Sequence, residues 1–379
     1  MPSVAVIGTR GYPSYYGGFE TAVRNLAPHL ADQGWDVTVY GRHESTKSSD
    51  PTRDPRIRSI DTWGMNTKSL STLSYGFSST LHTLRARPDV ALVMNCANGY
   101  WLPLLRLAKI PTVVNVDGIE WERAKWGRIA KRVFRTGAKL TAKYGTTLVF
   151  DAREIASRWG SEFRREGEYI PYGGEFTDLD LPLEPGLTHR GYVLMVARFV
   201  PENTVSEFLE AAAQIADVAD VVIVGSSGFG GMLDARAKDL ASSNPRVHWL
   251  GHINDDSRLH SLWQHAGVYF HGHSVGGTNP ALVQAMALGA PTLARDTPFN
   301  REVLGDGGVF VQPKPTEIAA AAKTLIADGP RLDQMSKRAA TRALEHYTWQ
   351  HVNERYADAL SDCGHLESTR LQSSRSHRP

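Results

Sequence analysis

Short apolar runs rich in β-branched residues recur along the first half of the chain: "VAVIG", "WDVTVYG", "DVALVMN", "TVVNVDG" and "TTLVFD". Between them apolar residues return at three- and four-residue intervals, as from Glu20 to Gln33 and from Leu70 to Arg85, the spacing of amphipathic helices. Strands alternating with helices make βαβ units, whose parallel sheet is buried on both faces. The rhythm stops at residues 170–191, "IPYGGEFTDLDLPLEPGLTHRG", where Pro, Gly and acidic residues cluster. It resumes with "YVLMVAR", "DVVIVGS", "RVHWLG", "GVYFHG" and "APTLAR". The pattern predicts an α/β domain over 1–172, a linker over 173–190 and a second α/β domain over 191–345. A closing helix falls within 346–365, and the Ser- and Arg-rich stretch 366–379 reads as a disordered tail. Two such modules enclose a cleft, and open α/β sheets bind ligands outside the carboxyl ends of their strands.

Length and charge agree with this division. A chain of 379 residues suits two domains of ordinary size. The net charge of +2 does not argue for nucleic acid, so any basic partner signal has to be local. The two cysteines, Cys96 and Cys363, stand outside metal-ligand and redox spacings, which fits a reducing compartment. The opening "MPSVAVIG" reads as a first strand and not as an export signal, and no apolar run approaches the roughly 20 residues of a membrane span. The expected location is the cytoplasm.

Three loops carry candidate chemistry. In "IGTRGYPSYYGGFE", residues 7–20, Gly8 and Gly11 enclose Thr9 and Arg10, so the compact glycine fingerprint of hydride-transfer enzymes is missing. Gly17 and Gly18 instead precede the helix of Glu20, Ala22, Val23, Leu26 and Leu30, where bare backbone N–H groups and a helix N-terminus favour an anion. The plainer alternative is a long βα loop with glycines for turning. In "VARFVPEN", residues 196–203, Arg198 follows a strand end and can clamp a phosphate, or be a surface arginine. In "HGHSVGGTNPALVQAM", residues 271–286, Asn279 is an N-cap and Pro280 a first helical residue, which puts Gly276, Gly277 and Thr278 in the loop before a helix. Two helix N-termini facing one cleft fit a diphosphate. His271 and His273 read as pointing to opposite faces of their strand end, leaving His273 to meet the ligand, and neither joins a metal set. The triplet "DLD", residues 178–180, hints at metal-dependent sugar transfer, but its place in the acidic linker favours a solvated segment.

A further signal is "RAKWGRIAKRVFRTGAKLTAK", residues 123–143, with eight Lys or Arg and no acid. Trp126, Ile129, Val133, Leu140 and Tyr144 recur at helical spacing, while Arg128, Lys131, Arg132, Arg135 and Lys139 project elsewhere. A basic amphipathic helix suits an anionic membrane surface; alternatively its apolar stripe packs on the sheet and its charges face solvent.

Taken together, "IGTRGYPSYYGGFET", "NVDGIEWERAKW", "ARFVPEN" and "HGHSVGGTNPALVQAMALG" resemble glycosyltransferase family 4, most closely the bacterial rhamnosyltransferases of cell-surface polysaccharides. The resemblance runs from residue 7 to about residue 304. It implies a GT-B fold of two Rossmann-like domains facing across a cleft, the nucleotide sugar mainly on the C-terminal one and the acceptor on the N-terminal one. It also implies that the last helix, about Trp349 to Asp362, crosses back onto the first domain. By the same resemblance Gly17 and Gly18 approach the donor diphosphate and Arg198 neutralises it. Asn203 stands where many members have a lysine, and backbone N–H groups of Gly277, Thr278 and Asn279 would compensate. The family's paired glutamates fall at Gly276 and Gln284, and Gln284 keeps an acceptor for the nucleotide ribose without the charge. Asp117, in "NVDGIEW", matches a position near sugar and acceptor, where a carboxylate orients the acceptor hydroxyl or takes its proton; the alternative is a cap on the helix near Glu120.

The implied activity is retaining transfer of a sugar, L-rhamnose from dTDP-L-rhamnose, onto a lipid-linked precursor, with no cofactor or metal. The alternatives are another hexosyltransferase, a degraded homologue serving as scaffold, and, fitting least, an NAD(P)-dependent reductase or epimerase. The expected partners are the nucleotide sugar, the lipid-linked acceptor and an anionic membrane at the inner face, not nucleic acid.

Overall fold

The strands form where Val, Ile and Leu run unbroken. Val4–Ile7, Val90–Met94 and Val221–Val224 bury every residue, and such strands need cover on both faces. The computed structural model describes residues 1–375 apart from Tyr16, Ser48, Asn66, Lys68, Ser69, Leu70, Ala124, Lys125, Asp178 and Phe229, with side chains through Gly364. The chain divides into two units, Met1–Tyr172 with Trp349–Pro379, and Gly173–Thr348.

In the first unit β1 (Ser3–Ile7), α1 (Gly18–Asp32), β2 (Asp36–Gly41), β3 (Arg58–Asp61), α2 (Ser71–Ala86) and β4 (Val90–Met94) follow in order. α3 (Leu102–Leu107), β5 (Thr112–Asn115), α4 (Arg128–Tyr144), β6 (Thr147–Phe150), α5 (Arg153–Phe163) and β7 (Glu168–Tyr169) complete it. The sheet order is β3-β2-β1-β4-β5-β6-β7, all parallel, with Val4 opposite Val37 and Val90.

The second unit repeats the plan with β8 (Tyr192–Val196), α6 (Val205–Ile215), β9 (Asp220–Val224), α7 (Met232–Ser243), β10 (Val247–Gly251) and α8 (Asp256–His265). β11 (Val268–His271), α9 (Pro280–Ala287), β12 (Thr292–Arg295), α10 (Pro298–Leu304), β13 (Gly308–Val311), α11 (Pro315–Ile326) and α12 (Gly329–His346) follow. Its order, β10-β9-β8-β11-β12-β13, has the same reversal of direction as the first sheet. Alternate residues fill two cores: Val193, Met195, Val221, Ile223 and Phe270 on one face, and Tyr192, Leu194, Val222, Val224 and Tyr269 on the other.

α13 (Trp349–Arg375) returns to the first unit. Val352, Tyr356, Leu360 and Cys363 join Val23, Leu26 and Leu30 of α1 in one core, and Asn115 Nδ2 donates to the Tyr356 hydroxyl at 2.7 Å. Cys96 and Cys363 are buried free thiols.

Two sequence expectations change here. Residues 173–190 group with the second unit, and much of the segment is strapped to α8. The Leu181 N–H donates to Gln264 Oε1 at 2.8 Å, Gln264 Nε2 donates to the Leu179 carbonyl at 2.9 Å, and Arg258 pairs with Glu184 at 2.6 Å. Pro182 has no N–H, and Ser261 takes its carbonyl. Within the "DLD" triplet, Asp178 lies outside the described residues and Asp180 stands exposed, 4.0 Å from His265 Nε2. The backbone of α13 stays helical through Arg375, where a tail was expected from 366, because "LESTRLQSSR" contains neither glycine nor proline to stop propagation. Residues 376–379 lie outside the described residues.

Candidate functional site

Where the strand order reverses, the connections leave in opposite directions and an opening remains at the carboxyl edge of the sheet. In the second unit that point lies between β8 and β11. Arg198 comes two residues after β8, exposed, and its guanidinium has no hydrogen-bond or ion-pair partner among the described residues. Its carbonyl accepts from the Val200 N–H at 2.9 Å and from Asn203 Nδ2 at 2.8 Å.

Asn203 is buried, and its other arm, Oδ1, lies 2.6 Å from His273 Nδ1. It therefore does not stand open to the donor as expected; it joins the two loops that leave β8 and β11. Thr204, next in the chain, donates to the Gly272 carbonyl at 2.6 Å and accepts from Arg295 Nη1 at 3.1 Å. Arg295 ends β12, beside β11, and so brings a second cation to this edge. Sequence reasoning passed it over, although "TLAR" ends a strand on an arginine just as "MVAR" does.

His271, 4% exposed, lies 3.0 Å through Nδ1 from the Tyr269 hydroxyl, and its Nε2 has no partner among the described residues. Burial, and then neighbouring His273, pull its pKa down to about 3, so the ring is neutral. The two rings lie 6.2 Å apart, which corrects the opposite-face reading: residues two apart on a strand share a face.

The loop to α9 turns at Gly276, whose φ of 97° excludes most side chains. Gly277 is half-buried, Thr278 is buried, and Asn279 caps α9, its Oδ1 accepting from the Ala281 N–H at 3.0 Å ahead of Pro280. Gln284, one turn further on, does not wait for a ribose. Its Oε1 accepts from the Glu175 N–H at 2.9 Å, and its Nε2 donates to the Glu175 carbonyl at 2.8 Å. Only an amide serves both peptide groups, which accounts for glutamine in place of glutamate.

The first unit has its own reversal between β1 and β4. The strands approach so closely that a Cβ on Gly8 would lie 2.3 Å from the Met94 carbonyl. Past the ends of β4 and β5, Asn95 and Asp117 adopt φ of 72° and 62°, a left-handed conformation costing such residues of order 1–3 kcal/mol. Asn95 Nδ2 donates to Asp117 Oδ2 at 2.8 Å, and the Asp117 N–H donates to Asn115 Oδ1 at 2.9 Å. Asp117 does not cap the next helical turn, Glu120–Glu122, where Ile119 holds the N-cap position.

Gly17 caps α1 without a side chain, and a Cβ there would meet nothing nearer than 3.5 Å, so packing does not demand glycine; Gly18 opens the helix. The anion-favouring end of α1 already holds a carboxylate. Glu20 is buried, accepts from the Arg10 N–H at 3.0 Å, and has its pKa pushed up by burial. Burial and nearby Asp151, Asp117 and Glu20 likewise raise the Tyr172 phenol.

On α4 the buried residues are Gly137, Ala138, Thr141 and Ala142, not the expected apolar stripe; Ile129 is 79% exposed beside exposed Arg128 and Arg132. Lys131 is half-buried, and Arg135 is paired with Glu162 at 2.7 Å. Among the described residues no helix is long and apolar enough to cross a membrane, and no group of three or more His, Cys, Asp or Glu could hold a metal.

Comparisons with known proteins agree with this architecture. Residues 17–173 match the glycosyl transferase 4-like domain, and residues 186–342 match glycosyl transferases group 1. The phosphatidyl-myo-inositol mannosyltransferase of Mycolicibacterium smegmatis is 31% identical over 212 residues, 53% of each chain, so the present chain spans about half the length of that curated relative. Among solved structures, sucrose-phosphate synthase from Thermosynechococcus elongatus superposes with a TM-score of 0.80 at 18% identity, over 96% of this chain and 99% of that one. Anabaena HepE in complex with UDP gives 0.74 at 17% identity, over 96% and 100%. The lipopolysaccharide glycosyltransferase WaaG gives 0.72 at 15%, over 94% and 99%. The chain thus has the α/β GT-B fold, matched to a glycosyl transferase 4-like domain over 17–173 and to glycosyl transferases group 1 over 186–342.

Proposed function

We propose that the protein is a glycosyltransferase that moves a sugar from a nucleoside diphosphate to a hydroxyl acceptor. The observation that carries this reading is the exposed Arg198 guanidinium, without a partner among the described residues, at the β8/β11 switch point, on the edge from which the loop to α9 departs. A diphosphate there meets Arg198, with Arg295 as a second cation, and the N–H groups of Gly277, Thr278 and Asn279. Such fixed donors stabilise the leaving group as charge develops on it. The bond from the anomeric carbon to the diphosphate oxygen breaks, and the bond to the acceptor oxygen forms. The acceptor proton goes to Asp117 or to the departing phosphate.

In this reading the first unit takes the acceptor, with Asp117 orienting its hydroxyl, and Gly17 and Gly18 admit the donor phosphates past Glu20. The donor is dTDP-L-rhamnose, the transfer retaining and metal-independent, and the acceptor lipid-linked at the inner face of the membrane. Another hexose is the second reading, favoured by similarity to a mannosyltransferase. A degraded scaffold is the third reading, since Gln284 is turned to the Glu175 backbone and brings no carboxylate for a ribose.

Membrane attachment draws on α4. Arg128, Lys131 and Arg132 lie in its first turns, where cations oppose the helix dipole, and no acid offsets them there. An anionic surface would repay that arrangement.

Calorimetric titration with dTDP, UDP, GDP and NADPH, with and without a chelator, tests the proposal. Chelator-insensitive binding of one diphosphate identifies the donor base. Failure of every diphosphate at millimolar concentration removes the transferase reading.

A further inference from the structure

We propose that Asn203 is a positioning residue that sets the tautomer of His273, leaving Nε2 as the accepting nitrogen of that ring. This rests on the donor half-site reading for its functional meaning, but its geometry stands by itself.

The chain of constraint begins at a group that cannot change its role. The Arg198 carbonyl only accepts, so the Asn203 atom 2.8 Å away must be the donating Nδ2. A flipped amide would set two acceptors against each other there. Asn203 Oδ1 is thereby turned to His273 Nδ1 at 2.6 Å, and an amide oxygen accepts, so Nδ1 carries the proton. In the neutral ring Nε2 then has the lone pair, so any group that meets it must donate.

One further bond and one close backbone contact hold the arrangement in place. Asn300 Nδ2 donates to the His273 carbonyl at 2.9 Å, fixing the backbone beneath the ring. A Cβ on Gly272 would lie 2.3 Å from the Asn203 carbonyl, so the β8 and β11 loops are in close backbone contact. A lysine at 203 would add a cation but could not accept from Nδ1–H. The residue here trades charge for orientation.

The test is the ¹⁵N spectrum of histidine-labelled full-length protein at pH 8, with His273 assigned by loss of its signals in His273→Gln. The expected spectrum has a protonated Nδ1 and an unprotonated Nε2. A parent His273 protonated on Nε2 overturns the proposal. Asn203→Ala should shift the ring toward the Nε2–H form and lower kcat roughly tenfold, with KM for the nucleotide sugar changed less. Asn203→Asp keeps an acceptor toward Nδ1, so Nδ1 should stay protonated although its second carboxylate oxygen then faces the Arg198 carbonyl. An unchanged tautomer in Asn203→Ala also overturns the proposal. If no nucleoside diphosphate binds, the donor reading falls, while the spectrum still decides the tautomer.

Discussion

At the scale of single residues, the chemistry was legible where a side chain acts alone and hidden where it acts through a distant partner. Arg198 was visible because it ends an apolar run, and its guanidinium has no partner among the described residues. Arg198→Ala should therefore weaken nucleotide binding by roughly 10- to 100-fold, the worth of a charge-assisted hydrogen bond, about 1.5–3 kcal/mol, with the melting temperature unchanged. Equal titrations for parent and variant would remove it from the site. Gln284 was read without its partner, the Glu175 backbone, which lies 109 residues away. Gln284→Glu sets a carboxylate against the Glu175 carbonyl, so thermal unfolding should show a loss of about 0.5–1.5 kcal/mol and no gain in nucleotide affinity. Tighter binding would return this position to the ribose. His271 was visible as a histidine but not as a neutral one. Its folded pKa of about 3 lies below the ordinary value near 6.5, so the unfolded chain binds the extra proton between them. The stability it contributes is complete above that ordinary value and is lost as pH falls toward 3. Between pH 7.5 and 5 the parent should lose about 2 kcal/mol more than His271→Gln in denaturant titrations. Parallel losses would show that the ring titrates normally.

At the scale of elements, parallel strands announced themselves because burial on both faces leaves only apolar residues, as in β4 and β9. The strip from 173 to 190 did not, since proline and acidic residues read as linker whether or not a helix such as α8 satisfies their backbone. Periodicity also misplaced the buried face of α4. The helix lies close through small residues, Gly137, Ala138 and Thr141, with Thr141 Oγ1 donating to the Cys96 carbonyl, and a scan for large apolar residues passes over these. The membrane prediction changes accordingly. Arg135 is tied to Glu162, so the surface to neutralise is Arg128, Lys131 and Arg132. Their joint replacement by Gln should weaken binding to anionic vesicles at low salt by about 1 kcal/mol per charge, while Arg135→Gln should change it little. Equal effects of the two variants would mean that α4 does not dock through its first turns.

At the scale of the whole molecule, the two units differ in how the chain builds them. The second is one continuous segment, Gly173–Thr348, with its own sheet and two cores, and it contains Arg198, Arg295, His273 and α9. The first is closed by residues from the far end of the sequence: Trp349, Val352, Tyr356, Leu360 and Cys363 fill the core beside Val23, Leu26 and Leu30. Burying each large apolar side chain contributes about 1.5–3 kcal/mol, and several together rival the 5–15 kcal/mol by which a domain is ordinarily stable. Asn115, which orients the Asp117 backbone, would also lose its bond to Tyr356. A fragment of residues 173–348 should therefore melt cooperatively and retain nucleoside diphosphate binding, whereas residues 1–172 alone should lack a cooperative transition by circular dichroism until α13 is supplied. A cooperative melt of 1–172 alone would show that α13 covers a core already stable without it. Loss of nucleotide binding in a folded 173–348 fragment would show that Arg198 and α9 do not hold the nucleotide by themselves.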